Sequence, residues 1–175
     1  YDKITGLQDN SIYNIYCDQN SQLWSALDNG ISLIHNTIPF RQYTDKSGLN
    51  GATMCLRFFK NHFYVGTGQY LHIQNQQGNF EPIPGTESQN FNLYEANGSL
   101  LLANLAGISE IKEKQAIPVA NTSHISALVF SPLPGKSNYL LTGATDGLYL
   151  LEYKNSAWKL KHKISGFNKP AYKVD

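Results

Sequence analysis

The chain has 175 residues, and 14 Lys and Arg against 13 Asp and Glu leave a formal net charge of +1. That balance excludes a dedicated nucleic-acid surface, which needs a clustered basic footprint, and no run of about 18 apolar residues exists to span a membrane as a helix. Charged residues are sparse beside Asn, Gln, Ser and Thr, a composition that suits a β-rich chain with many polar turns.

Tyr1 to Leu7 reads as the tail of a preceding unit and its connector; it lacks the basic and apolar regions of a signal peptide, as a mature or excised segment also would. Ile12 to Cys17 alternates strong β-formers and predicts a first strand. Asp18 to Gln22 predicts a hairpin turn, Leu23 to Leu27 a second strand, Ile31 to His35 a third and Phe40 to Tyr43 an outer fourth. Similar four-strand units follow, giving boundaries of 8–43, 49–84, 87–119 and 122–165, with 168–175 opening a further one. Asn29-Gly30, Asn97-Gly98 and Asp146-Gly147 supply the φ > 0 that tight hairpins require. The second unit has Tyr70 where the others have this glycine, so Gly68 is expected to take the strained conformation. The fourth has a longer first hairpin, Ser131 to Asn138, stiffened by two prolines. Lys154, Lys159, Lys161 and Lys163 flank or alternate with apolar residues around Trp158, as on the solvent face of an edge strand.

One phrase runs through these units: a polar turn, an aromatic or leucine-rich strand, a turn and an apolar strand. Its inner positions Trp24, Tyr64, Leu101 and Leu141 recur about every 40 residues, the length of one four-stranded propeller blade. The fold class expected is therefore all-β: a β-propeller fragment of about four antiparallel four-stranded blades, cut from a larger, seven-bladed ring. Trp24 belongs to its core. Cys17 and Cys55 lie two positions out of phase in opening strands and are expected as buried free thiols. The sequons at Asn97 and Asn121 read as turn chemistry.

Chemistry is sparse. His35, His62, His72, His124 and His162 show no metal spacing. Asp18-x-Asn20-x-Gln22 lacks the glycine and terminal glutamate of a calcium loop. Gly66-Thr-Gly68 leads into a strand and is too short to cradle phosphate. No nucleophile elbow or facing carboxylate pair can be placed. The expectation is no catalytic residue, no metal and no cofactor.

The first unit carries a more specific signal. Gly6-Leu7, Asn10-Ser-Ile12, Asp18, Gln22-Leu-Trp24 and Asp28-Asn-Gly-Ile31 together resemble the two-component regulator propeller repeat. Thr142-Gly-Ala-Thr-Asp-Gly-Leu148 in the fourth unit resembles it too; the second and third copies are degenerate. The resemblance covers nearly the whole chain and is strongest to large transmembrane regulators of Gram-negative anaerobes. It implies a non-enzymatic periplasmic sensor segment of an inner-membrane protein. The output domain would be of helix-turn-helix or histidine-kinase type. Implied partners are a small-molecule or oligosaccharide ligand, the remaining blades and a twin subunit in a homodimer, with no nucleic acid and no membrane segment in this chain. An assembly propeller that binds a protein is the alternative, and a propeller lyase or glycosidase a third reading.

Topology nominates the binding positions. Loops entering each first strand and those joining second to third strands share one end of the blades, and amides and aromatics there suit sugar recognition. The candidates are Asn10, Asn29, Gln69, Tyr70, Asn90, Asn104, His124 and Asp146.

Overall fold

The computed structural model describes residues 7, 9–20, 22–34 and 43–173. The chain divides into two compact units, Tyr1–Gln42 and Tyr43–Asp175. In the first, β1 (Ile12–Cys17), β2 (Leu23–Leu27) and β3 (Gly30–Ile34) form an antiparallel sheet in chain order. These spans agree with the predicted strands to within a residue. The predicted outer strand lies, except for Tyr43, outside the described residues. Asp18 organises the first turn: its carboxylate accepts hydrogen bonds from the Asn20 and Gln22 amides at 2.9 and 3.0 Å and from Trp24 Nε1 at 3.0 Å. Its oxygens therefore serve the turn.

The second unit holds three four-stranded antiparallel sheets, each ordered as in the chain. They are β4 (Thr53–Phe59), β5 (His62–Thr67), β6 (Leu71–Gln74) and β7 (Phe80–Pro82); β8 (Asn90–Ala96), β9 (Ser99–Asn104), β10 (Gly107–Lys112) and β11 (Gln115–Pro118); and β12 (Ala127–Pro132), β13 (Tyr139–Ala144), β14 (Gly147–Lys154) and β15 (Ala157–Lys163). A 3-10 turn, Asp45–Ser47, precedes β4. The opening strands β4, β8 and β12 are neighbours, and the sheets pack face to face. Strand alternation explains how β9 serves two cores. Leu100 and Leu102 join Phe59, Tyr64, Leu71 and Ile73 on one side. Leu101 and Ala103 join Ile125, Phe130, Leu140, Leu151 and Trp158 on the other. Each fully buried Leu contributes about 1.5–3 kcal/mol.

The cadence seen in the sequence returns as backbone detail. Each opening strand has a register irregularity near its start, between Ile12 and Asn14, Thr53 and Cys55, Asn90 and Asn92, and Ala127 and Val129. Opposite it stands a small residue: Ala26, Gly66, Ala103 or Gly143. At Gly66 the reason is space, since a Cβ would stand 2.4 Å from Cys55 Sγ and 3.0 Å from the Asn90 carbonyl of the next sheet. At Gly143 a Cβ would meet the Ala171 carbonyl at 2.3 Å. Each sheet also ties the end of its second strand to the start of its first: the amides of Asp28, Gly68, Leu105 and Thr145 donate to the carbonyls of Ser11, Ala52, Gln89 and Ser126 at 3.0–3.3 Å.

Where the outer strand leaves, a threonine hydroxyl is spliced into the ladder. The Ile83 amide donates to the Leu71 carbonyl, but the return bond runs through Thr86: Leu71 N–H donates to Oγ1 at 2.9 Å, and Oγ1 donates to the Ile83 carbonyl at 2.6 Å. Thr122 repeats this between Ile108 and Val119, at 3.3 and 2.7 Å. In the last sheet the Ile164 amide bonds the Leu148 carbonyl in the same way, and Phe167 takes the threonine's place.

Several expectations need correction. Cys17 is exposed and Cys55 half-buried, so neither is the sealed thiol expected, though both are free. The irregularities align Cys55 with Asn14 and Cys17 with Phe58, three positions apart rather than two. Gly68 does not adopt a positive φ; the Thr67 hydroxyl closes that turn instead, accepting from the Gln69 and Tyr70 amides at 3.2 Å each. The three glycine-marked turns do supply positive φ, at Gly30 (100°), Gly98 (73°) and Gly147 (148°); of the residues before them only Asn97 joins in, at 49°.

Candidate functional site

Antiparallel order gives every sheet two ends. One carries the turns joining second to third strands and the connections between sheets. The other carries the first hairpin and the turn into the outer strand.

The sequence-derived candidates belong to the first end. Asn10 and Asn29 are exposed turn residues of the first unit. In the second unit the structure gathers Gln69, Tyr70 and Asn90 around Thr67. Asn90 Nδ2 donates to the Thr67, Thr86 and Ser88 carbonyls at 3.1, 3.3 and 2.6 Å, while the Thr67 amide donates to the Tyr70 carbonyl at 2.9 Å. Asn90 is wholly buried, so its amide clamps the inter-sheet connection. Asn104 pairs with Asn90 in register, and its Oδ1 accepts from the Ala106 amide at 2.9 Å. Both are buried, and their side-chain bonds are of the turn-forming kind.

His124 and Asp146 meet through Tyr149. The His124 ring stands edge-on to Tyr149 at 6.5 Å between centroids, and the Tyr149 hydroxyl donates to Asp146 Oδ2 at 2.8 Å. Lys163 Nζ donates to the same oxygen at 2.7 Å and lies 5.3 Å from the Tyr149 ring centroid. The lysine hydrogen bond holds the Asp146 carboxyl below its usual pKa, and the carboxylate raises that of Lys163. Burial, then the bond to Asp146, pushes the Tyr149 phenol up. In the β4–β7 sheet, His72 is sealed in β6 and drawn below the usual imidazole range by burial. Among the described residues, no three His, Cys, Asp or Glu side chains group as metal ligands would.

The other end of the sheets carries none of the sequence-derived candidates. Here a cleft of about 720 Å³ opens between the β4–β7 and β8–β11 sheets. Its floor is Phe59, Tyr64, Ile73 and Ile111, all nearly buried, and its rim carries Lys60, His62, Ser99, Glu110, Lys112, Glu113 and Lys114. None of the eight candidates lines it. Burial pushes the Tyr64 phenol above its usual range. The rim is partly self-neutralised: Lys112 pairs with Glu110 at 3.4 Å, and Lys114 with Glu81 at 2.8 Å. Ser99 Oγ donates to Glu110. The clue available in the sequence was the basic clustering at Lys60 and at Lys112-Glu-Lys114, each at a hairpin turn.

No family model matches the chain, and no curated protein matches it in sequence. Its fold does match solved structures. One is the extracellular domain assigned to a hybrid two-component system of B. thetaiotaomicron, at TM-score 0.69 and 16% identity, covering 92% of this chain and 23% of that one. Another is the extracellular domain assigned to a one-component system of the same organism, at TM-score 0.58 and 16% identity, covering 94% and 26%. A third is PorZ, a surface component of the type IX secretion system of Porphyromonas gingivalis, at TM-score 0.51 and 13% identity, covering 87% and 23%. The chain thus spans about a quarter of the length of these structures. The fold is all-β and propeller-like, and no helix among the described residues is long and apolar enough to cross a membrane.

Proposed function

We propose that this chain is an arc of a larger β-propeller in the two-component regulator propeller family, forming part of the periplasmic sensor region of a transmembrane regulator. In that reading it does no chemistry; it recognises a small molecule or oligosaccharide, or shapes the sensor homodimer, and the output domain lies elsewhere in the parent. The observation that carries the reading is the coincidence of the family-like phrase around Trp24 with a fold matching the ectodomain of a two-component system over 92% of the chain. The arc has support of its own. The Ala171 carbonyl crowds Gly143 as the Asn90 carbonyl crowds Gly66, and this likeness to the start of β8 supports the reading of a further opening strand around Ala171. The Ala171 amide also donates to the Ala144 carbonyl at 3.0 Å.

Sensing requires a ligand to bind two states of the regulator with different affinity. Face-to-face sheets sharing cores on both sides of β9 make a rigid body that can pass such a difference to a partner subunit. The coding sequence flanking this segment tests the reading: further copies of the repeat, a membrane helix and an output domain are expected, and a catalytic domain outside the membrane overturns it.

The alternative, an assembly propeller, draws on one observation. Met54, Leu56 and Phe58 alternate along β4 with exposures of 40, 61 and 63%, an apolar stripe of the kind that protein partners cover. Protein capture that survives restoration of the full set of blades would favour it.

A further inference from the structure

We infer that the cleft between the β4–β7 and β8–β11 sheets binds a small amphipathic carboxylic acid, one with an aromatic or branched aliphatic body and a single anionic group. Its use in signalling rests on the sensor reading; the binding itself does not.

Size comes first. About 720 Å³ lies within the range of roughly 300–1,000 Å³ typical of small-ligand sites. The floor then sets the body of the ligand. Phe59, Tyr64, Ile73 and Ile111 expose no more than 7% of their surfaces and present aromatic and branched carbon to the cleft. Apolar ligand surface covering them gains the usual hydrophobic return.

Two polar groups set the rest. The Tyr64 hydroxyl has no hydrogen-bond partner among the described residues, although the residue is only 4% exposed. Tyr64 lines the cleft and its hydroxyl is open to solvent there, so a ligand oxygen can replace water on it. The second group is Lys60. Its ammonium lies 4.9 Å from the Phe59 ring centroid and, unlike those of Lys112 and Lys114, is paired with no carboxylate among the described residues. The turn holding it is fixed, because Lys60 and Asn61 both adopt positive φ and the Lys60 carbonyl lies 2.9 Å from His62 Nδ1. A cation above an aromatic floor selects an anionic head on an apolar body. The exposed Glu113 on the opposite lip disfavours a second negative charge.

The test is an NMR titration of the 15N-labelled 175-residue chain with 3-phenylpropionate, 3-phenylpropan-1-ol and 3-phenylpropylamine. The acid should saturably shift the amides of Lys60–Tyr64, Ser99 and Ile111–Lys114. The alcohol should bind about tenfold more weakly, as loss of one charge-assisted contact implies, and the amine should not saturate. Lys60→Met should reduce the acid to the affinity of the alcohol and leave the alcohol unchanged; Tyr64→Phe should weaken both. Equal binding of acid and alcohol, shifts confined to the Gln69, His124 and Asp146 end, or no saturation by any probe overturns the proposal. Binding by a chain whose gene lacks a membrane helix would refute the sensor and keep the site. A complete regulator gene with no binding would do the reverse.

Discussion

Replacing Thr86 by valine removes one oxygen and keeps the shape. The hydroxyl stands between Leu71 N–H and the Ile83 carbonyl, at 2.9 and 2.6 Å, and all three residues are wholly buried. Valine fills the same space, so the cavity term is negligible and two backbone groups lose their partner. Each buried unsatisfied group costs about 1–3 kcal/mol, so the pair should cost about 2–6 kcal/mol. Thr86→Ser keeps the oxygen and loses one methyl, worth about 0.8 kcal/mol. Urea unfolding followed by far-ultraviolet dichroism measures both. With a slope of about 2 kcal/mol per molar, valine should lower the midpoint by about 1–3 M and serine by about 0.4 M. Thr122→Val should behave like Thr86→Val, because its hydroxyl makes the same splice between Ile108 and Val119. A Thr86→Val protein within about 0.5 kcal/mol of the parent, or no worse than Thr86→Ser, refutes the argument that these hydroxyls hold the outer strands.

Leu101→Ala, at a wholly buried position facing the β12–β15 sheet, should cost about 2–5 kcal/mol through the cavity it leaves; a loss below about 0.5 kcal/mol in the same assay would misplace β9. Gly143→Ala should destabilise strongly, because its Cβ would stand 2.3 Å from the Ala171 carbonyl, whereas Gly98→Ala, with nothing within 4 Å and φ of 73°, should cost only about 1 kcal/mol; equal losses would contradict the close approach. Ellman's reagent at pH 8 should titrate Cys17 promptly and Cys55 only on unfolding, because Cys17 is exposed while burial pushes the Cys55 thiol up to about 11; two thiols reacting at one rate would contradict this. Asp146 has a depressed pKa, so its bond to Lys163 favours the fold above the ordinary carboxylate value of about 4 and is lost as pH falls through the lowered one. Lys163 is raised, so its share is complete below about 10.4 and lost as pH rises through the raised value. Asp146→Asn should therefore lower the melting temperature at pH 7 and leave it unchanged at pH 2; an equal drop at both would assign the loss to packing.

The strands were legible because short runs of strong β-formers and apolar residues between turn signals mark them: Ile12 to Cys17 and Leu100-Leu-Leu102 declare themselves before any partner is known. Turns were legible where glycine marked them, as at Asn97-Gly98. They were not where ordinary residues take positive φ, as at Lys60-Asn61 and Asn155-Ser156, since nothing in a Lys-Asn or Asn-Ser pair demands it. Thr86 and Thr122 were missed because a threonine beside a connection looks like any turn residue; only the ladder shows the hydroxyl inserted in it. The candidate end was inferred from topology, which places Asn90 correctly but cannot tell an amide that clamps three carbonyls from one that meets a ligand. The cleft was illegible for a related reason. Phe59, Tyr64 and Ile111 come from two sheets, and their approach is a property of packing rather than of any local pattern.

The most direct test of the proposed arc is a crystal structure of this chain together with whatever coding sequence flanks it. Successive four-stranded sheets should radiate from one axis, with β4, β8 and β12 innermost and a complete opening strand where the Ala171 tail now lies. Sheets stacked as a sandwich, with no shared axis and no further strand beside Gly143, would contradict it.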